Sequence, residues 1–244
     1  MELLPGFRAV GCALLFEKTL VFSDLHLGYE KSMGVGVGFV SRFQFGEILA
    51  HIDSILASCG PLETIVLNGD IKHEFGSILD LEWRYVMRFL EHLQKHAKKV
   101  VLIKGNHDKL LKPIADKAKL ALEPFIVLGE ALVTHGDEIT PEIEAASKKA
   151  SAIIIGHEHP AVTLRKGART ETFKCFLVGK WKRKRLIVLP AMNPLTQGSD
   201  ILSGERLSPF LSGSLSQFQT FLVGEEKIYN FGTVGKLAER YQRR

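Results

Sequence analysis

The 244-residue chain is poor in cysteine: Cys12, Cys59 and Cys175 are three, widely spaced, with no CxxC pair. A disulfide framework is therefore not expected, and these read as free thiols, partly buried, in a reducing cytoplasm. No apolar stretch approaches the roughly 20 residues needed to cross a bilayer. The N-terminus has no basic start followed by a long apolar run, so no secretory signal is expected. There is no internal repeat. Hydrophobic residues make up 45% and charged residues 24%, a balance that argues against dominant disorder and against a fibre. What remains is a soluble globular protein long enough for one large α/β domain.

Charge is present but uneven. Lys and Arg number 32 against 27 Asp and Glu, a net +5. Lys180, Lys182, Arg183, Lys184 and Arg185 place five positive charges in six residues, with Trp181 among them. Lys236, Arg240, Arg243 and Arg244 against Glu239 add a local +3, which leaves the rest of the chain at −3. A basic patch with an aromatic neighbour suits a phosphate backbone. The same run also fits a solvated hairpin turn, because Phe176–Val178 precedes it and Leu186–Val188 follows.

Six short apolar runs, each followed at once by small or polar residues, predict strands buried on both faces. They are Leu20–Phe22 before SDLH, Ile65–Leu67 before NGD, Val100–Ile103 before KGNHD, Ala131–Val133 before THGD, Ile153–Ile155 before GHEH, and Leu186–Leu189 before PAMNP. In α/β folds, functional groups gather just past such strand ends. Apolar residues near the 3.6 period predict helices over Phe39–Ser58 and Leu79–His96, and a shorter one over Pro141–Ala150. His51, His92 and His96 fall within these helices and read as ordinary surface residues. Further strands are expected over Ala161–Leu164, Thr172–Val178, Phe218–Val223 and Lys227–Phe231. The Ser- and Gly-rich segment 196–216 reads as a long loop or mobile excursion. Gly34-x-Gly36-x-Gly38 does not directly follow a strand, so it reads as a loop leading into the first helix rather than as a phosphate loop. The pattern predicts a single domain over residues 1–244.

The residues after five of those runs form a metal-ligand inventory: Asp24-x-His26, Asp70 after Gly69, Asn106-His107-Asp108 after Gly105, His135, and His157 and His159 in GHEH. Five of the nine histidines sit at these ends. Each motif alone is compatible with a turn; together and in this order they are not coincidental. The set offers only oxygen and nitrogen, which argues against a structural zinc site and suits Mn²⁺, Fe²⁺ or Zn²⁺ in a catalytic one, often as a pair. Two dications would outweigh Asp24 and Asp70, and the surplus charge would attract an anionic substrate.

The ordered set D-x-H, GD, GNHD, H and GHxH, spanning residues 24 to 159, resembles the calcineurin-like metallophosphoesterase superfamily. The resemblance implies an α/β fold, a two-sheet αββα sandwich with mixed sheets and flanking helices. It implies one metal held by Asp24, His26, Asp70 and His159, and a second by Asp70, Asn106, His135 and His157, with Asp70 bridging. It implies attack on phosphorus by a metal-bound hydroxide, with His107 facing the leaving group and Asp108 orienting its imidazole. Mn²⁺ is the first expectation for the two divalent ions. The strings SDLHLGYE and NGDIKHEFG and the LPAMNP segment resemble a smaller group, the SbcD-related and DNA-ligase-associated phosphoesterases of archaea and bacteria. Many superfamily members carry an acidic residue shortly after GD; this chain has Lys72 and His73, which contact a phosphate or cap the loop.

Two functions from different substrate classes fit this reading. One is a phosphodiesterase or nuclease that binds DNA or RNA through Lys180, Trp181, Lys182, Arg183, Lys184 and Arg185. The other is a phosphatase for a small nucleotide or sugar phosphate. Lipid-linked UDP-sugar pyrophosphatase activity ranks below both, since that family typically has Arg where this chain has His107, and no membrane-docking helix is apparent. A non-catalytic binding module ranks lower still, because the ligand set and His107 are all present.

Overall fold

Strands buried on both faces need cover from two sides, and this chain provides it by stacking two sheets and placing helices outside both. The computed structural model describes residues 1–32, 43–166, 169–203 and 205–241. The first sheet runs in chain order through seven strands: β1 (Glu2–Leu4), β2 (Phe7–Val10), β3 (Ala13–Phe16), β4 (Thr19–Phe22), β5 (Leu62–Asn68), β6 (Ala97–Ile103) and β7 (Ala121–Glu123). The first four form an antiparallel meander and the last four are parallel. The second sheet contains β8 (Phe125–Leu128), β9 (Ala131–Thr134), β10 (Ala152–Ile155), β11 (Pro160–Lys166), β12 (Arg169–Trp181), β13 (Lys184–Val188), β14 (Ser199–Asp200), β15 (Gln219–Val223) and β16 (Ile228–Thr233). Its order is β14-β11-β12-β13-β10-β9-β8, with β15 and then β16 attached through β12. Within it β9, β10 and β13 are parallel.

The helices are α1 (Tyr29–Ser32), α2 (Phe43–Ala57), α3 (Asp80–Leu93), α4 (Lys112–Ala118), α5 (Pro141–Lys149) and α6 (Val234–Tyr241). Strand residues alternate between two cores, as a period of two requires. Leu20, Phe22, Ile65 and Leu67 pack under Ile48, Ile52, Val86 and Phe89 of α2 and α3. Val21, Val66 and Val101 face the other way, against Val133, Ile154, Phe176 and Ile187 of the second sheet. Leu132, Ile153, Leu186 and Val188 then meet Ile143 of α5 and Leu237 of α6. The layers are therefore helix, sheet, sheet, helix, as the resemblance implied. Truncating the fully buried Phe89 to Ala would cost about 3–5 kcal/mol.

All six sequence-predicted buried strands form, as do the four predicted after residue 160, several of them longer than expected. The second predicted helix stops at Leu93 rather than His96, because Lys95 and His96 close a tight turn on the carbonyls of His92 and Leu93. α5 starts where Pro141 suggested, with the Thr140 hydroxyl accepting from Ile143 N. The predicted start of the first long helix at Phe39, the Gly34–Gly38 segment, and Arg243 and Arg244 lie outside the described residues. The segment 196–216 is irregular in backbone but is not a free excursion. Ile201, Phe210, Leu211 and Leu215 bury their side chains in the core of the second sheet, and the N–H groups of Leu207 and Ser208 donate to the Glu158 carboxylate.

Candidate metal centre

The parallel strands β4, β5, β6, β9 and β10 all end on the same side of the sandwich, and the loops that leave them converge. Backbone pairing seals the convergence: across the two sheets Met192 N and Asn193 N donate to the carbonyls of Ser23 and Asp24, and within the second sheet Gly156 N donates to His135 O. The chain pays for the tight approach in backbone strain. Among the described residues eight non-glycine residues have positive φ, and five of them are Asp24, His26, Asp70, His157 and His159. Left-handed backbone at a non-glycine residue costs on the order of 1–3 kcal/mol and persists where surroundings over-determine it, as at functional sites. Two glycines make the approach possible. A Cβ on Gly105 would lie 2.2 Å from Asp70 Oδ1, and one on Gly156 would lie 1.9 Å from Ser23 Oγ and 2.6 Å from Asp24 Oδ2.

Two groups of ligand atoms that include a carboxylate result, beside an all-imidazole group of His26, His73 and His107. In the first, atoms of Asp24, His26, Asp70 and His159 lie within 4.8 Å of one another. His159 Nε2 is 3.0 Å from Asp24 Oδ1, 3.4 Å from His26 Nε2, and His26 Nε2 is 3.7 Å from Asp70 Oδ2. In the second, Asp70, His135 and His157 are gathered as closely, and Asn106 Oδ1 is 3.2 Å from His135 Nε2. Asp70 is common to both.

The electrostatics fit a cation. His135 Nδ1 lies 3.0 Å from the Asn68 carbonyl, so this nitrogen donates and Nε2 keeps its lone pair. That lone pair faces two oxygens, Asp70 Oδ1 at 3.4 Å and Asn106 Oδ1. Acceptors facing acceptors need a positive charge between them. Without one the ring itself is driven to carry it: burial opposes charging His135, but Asp70 and Asp24 push it up to about 10. Burial drives the other imidazole the opposite way and holds His26 near 3, a neutral ligand ring. Burial alone would raise Asp24, yet His159 and His135 keep its carboxyl below the ordinary range, so it offers an anion. The donors are oxygen and imidazole nitrogen, and no cysteine joins either group.

The neighbouring residues depart from the sequence reading. Asp108 does not touch the His107 imidazole. Its buried carboxylate accepts from Gly105 N, Ile71 N and Lys72 N, clamping the loop after β6 to the loop after β5, and burial with the nearby Asp70 charge pushes it up to about 7. The His107 ring is oriented instead by the His73 carbonyl, to which Nδ1 donates, with its Nε2 3.8 Å from Asp70 Oδ2. Lys72 resolves the choice between phosphate contact and loop cap in favour of the cap. It is fully buried and its ammonium donates to the carbonyls of Glu74 and Ser77. His73 does reach the centre, its Nδ1 3.4 Å from that of His26.

Sequence reasoning missed the supports. Gln44 at the start of α2 donates to His26 O and to Asn193 Oδ1. Glu82 in the first turn of α3 accepts from His73 N, Glu74 N and Leu79 N, holding the loop that carries His73. Glu158, the variable residue of GHxH, ties that motif to residues 207–208. The Asn193 of PAMNP and a Glu three residues into a helix were the available signals.

The basic tract occupies the β12–β13 turn. Arg185 pairs with Ala152 at the start of β10, whereas Val188 pairs with Ile155 next to the GHEH loop, so the tract lies at the end of the strands away from the ligands. Trp181 is buried against Phe210 and offers no face for base stacking, which corrects that part of the sequence reading. Lys182 pairs with Glu144, Lys184 donates to the carbonyls of Lys148 and Ala150, and Arg185 donates to Ser151 Oγ.

Residues 17–132 match the family model described as calcineurin-like phosphoesterase. No curated protein sequence matches. Among solved structures, the chain is similar to the nuclease MPE of Pseudomonas putida over 91% of this chain and 93% of that one, at 20% identity and a TM-score of 0.61. It is also similar to Yfce, a phosphoesterase from E. coli, over 89% of this chain and 100% of that one, at 16% identity and a TM-score of 0.37. The family model lies over the D-x-H, GD and GNHD loops, so residues 17–132 match a calcineurin-like phosphoesterase domain, and the two-sheet fold around them is that of a metal-dependent phosphoesterase.

Proposed function

We propose that this protein hydrolyses phosphodiester bonds in nucleic acid, using two divalent ions of which Mn²⁺ is the first choice. The observation that carries the substrate class is Phe75. It is 48% exposed, and its ring lies against His107 with 3.6 Å between centroids. An open aromatic face beside the residue assigned to the leaving group is a surface on which a nucleobase stacks, worth about 1–3 kcal/mol per base. A sugar phosphate has no comparable group to place there; a mononucleotide has one, and a substrate screen separates it from a polynucleotide. The similar fold of a nuclease over nine-tenths of the chain supports the same reading.

Bound at the two groups, divalent ions would neutralise phosphate charge and lower the pKa of water. The chain's own residues supply the rest. Asp24 and Asp70 hold negative charge within reach of both groups. His107 keeps Nδ1 committed to the His73 carbonyl, so a second proton at Nε2 is positioned for a departing oxygen. Glu82 and Asp108 hold the loops that carry His73 and His107 against each other.

The basic tract enters as an outer contact. Lys180, Lys182 and Arg183 are exposed on the far turn and would touch the backbone only of a strand long enough to pass the sheet edge. Cys12, Cys59 and Cys175 are all free, which suits a reducing compartment such as the cytoplasm. No helix among the described residues is long and apolar enough to cross a membrane.

The test is a Mn²⁺-dependent screen of mononucleotides, bis-(p-nitrophenyl) phosphate, and single- and double-stranded DNA, with Asp70→Ala as control. Oligonucleotide cleavage that weakens about tenfold in Phe75→Ala, with metal content unchanged, supports the proposal. Turnover confined to monoesters would replace it with the small-phosphate phosphatase.

A further inference from the structure

The nine histidines do not all belong to the candidate centre. His92 lies in the last turn of α3, and His96 follows four residues later, just past the helix end. The tight turn after Leu93 brings the two rings together, with 4.9 Å between centroids. Across from them, on α2, stands Asp53, whose Oδ1 is 2.6 Å from His92 Nε2. One ligand atom from each of Asp53, His92 and His96 lies within 4.8 Å of the other two. Asp53 and His96 are exposed and His92 half-buried, so water has access to the remaining coordination positions.

The geometry points to a third metal site, Asp53–His92–His96, that takes a borderline transition-metal dication such as Zn²⁺, Ni²⁺ or Cu²⁺. Two imidazoles and one carboxylate, with water completing the shell, are the donors these ions prefer, whereas Mg²⁺ and Ca²⁺ favour oxygen alone. The hydrogen bond between His92 and Asp53 now holds the two groups at a separation that an ion would bridge by displacing the shared proton. An isolated hydrogen-bonded pair would not require His96, and the third donor is what distinguishes the cluster.

The position gives such an ion a structural consequence. Gln44 in the first turn of α2 holds His26 and Asn193, and Glu82 in the first turn of α3 holds the His73 loop. Both helices therefore start at the catalytic loops, and the cluster joins them near their far ends. Between the two lies the stacked pair of Phe45 and Tyr85, at 4.6 Å. An ion at Asp53–His92–His96 fastens the helix pair without touching the catalytic ligands.

The deciding experiment counts ions. Metal-stripped wild type, His92→Ala/His96→Ala and Asp70→Asn are each titrated with Zn²⁺ and Ni²⁺ by equilibrium dialysis, and melted with and without metal. Wild type is expected to bind one more ion per chain than the double-histidine variant. Asp70→Asn is expected to retain that ion and to keep a metal-dependent rise in melting temperature that the double variant loses. His96→Ala alone should weaken this ion at least tenfold. Equal stoichiometry in wild type and the double variant, or unchanged affinity in His96→Ala, would overturn the site. Mn²⁺-dependent hydrolysis by the double variant should equal wild type, which separates the failure of this site from failure of the catalytic assignment.

Discussion

The two ends of the same parallel strands both collect charge, and they use it oppositely. At the C-terminal ends, Asp24, Asp70, His26 and His135 are buried and His157 and His159 half-buried, and they aim at shared points and leave lone pairs facing one another. At the other end, the Lys180–Arg185 turn has the denser run of charge in sequence, but its cations diverge and several are matched locally. Lys182 meets Glu144, Lys184 meets two helix-end carbonyls, and Arg185 meets Ser151. The difference teaches that charge density does not make a site. Convergence does, together with burial that denies each group a local partner and so reserves it for a ligand.

The sharpest way to break this comparison is to remove the residue common to both ligand groups. Asp70→Ala should lower Mn²⁺-dependent hydrolysis of bis-(p-nitrophenyl) phosphate by on the order of a thousandfold, since several kcal/mol of charge stabilisation is lost. Retention of a tenth of wild-type turnover would show that the convergent end is not the reactive one. His107→Ala comes next, with an expected loss of about 10²- to 10⁴-fold in kcat while metal content stays at the wild-type value. Loss of metal along with activity would make His107 a ligand rather than a proton donor.

Asp108 distinguishes a loop clamp from an imidazole anchor. Asp108→Asn keeps size but puts an amide N–H against backbone donors that now find a carboxylate, namely Gly105 N, Ile71 N and Lys72 N. About 1–3 kcal/mol of stability should be lost, read as a lower melting temperature in the metal-stripped protein. If instead melting is unchanged and only the pH dependence of kcat moves, Asp108 acts through His107 after all.

How much of the molecule is legible in its sequence follows from the same contrast. The ligands follow directly on unbroken apolar runs such as Ile153–Ile155 before GHEH, so local pattern and function are adjacent along the chain. The six central strands are legible for that reason. The supports are not, because their partners are distant: Gln44 meets Asn193 across 149 positions, and Glu158 meets Ser208 across 50. Asp108 reads in sequence as the partner of its neighbour His107, whereas its partners beyond its own loop are residues 71 and 72. The β1–β3 meander goes unpredicted although Pro5-Gly6 and Gly11 mark its turns. Trp181 looks like a stacking residue because nothing in its own neighbourhood names Phe210 as its cover.

The smallest effect is expected at the basic end, and it sharpens the comparison through substrate length. Lys184 to Val188 is one strand of five residues, about 16 Å at a rise near 3.3 Å each, and the cations lie beyond its start. A dinucleotide held at the ligands cannot reach them. Replacing Lys180, Lys182 and Arg183 by Gln should therefore leave dinucleotide and bis-(p-nitrophenyl) phosphate turnover within about twofold. Stability should fall by less than about 1 kcal/mol, the worth of an exposed pair such as Lys182–Glu144. On longer DNA the same variant should lower the slope of log affinity against log salt, by about one for each phosphate that is no longer neutralised. A triple variant whose slope matches wild type on DNA of 20 or more bases, ~68 Å at 3.4 Å per base, would reduce the tract to a solvated turn. The proposed contact with nucleic acid would then rest on the convergent end.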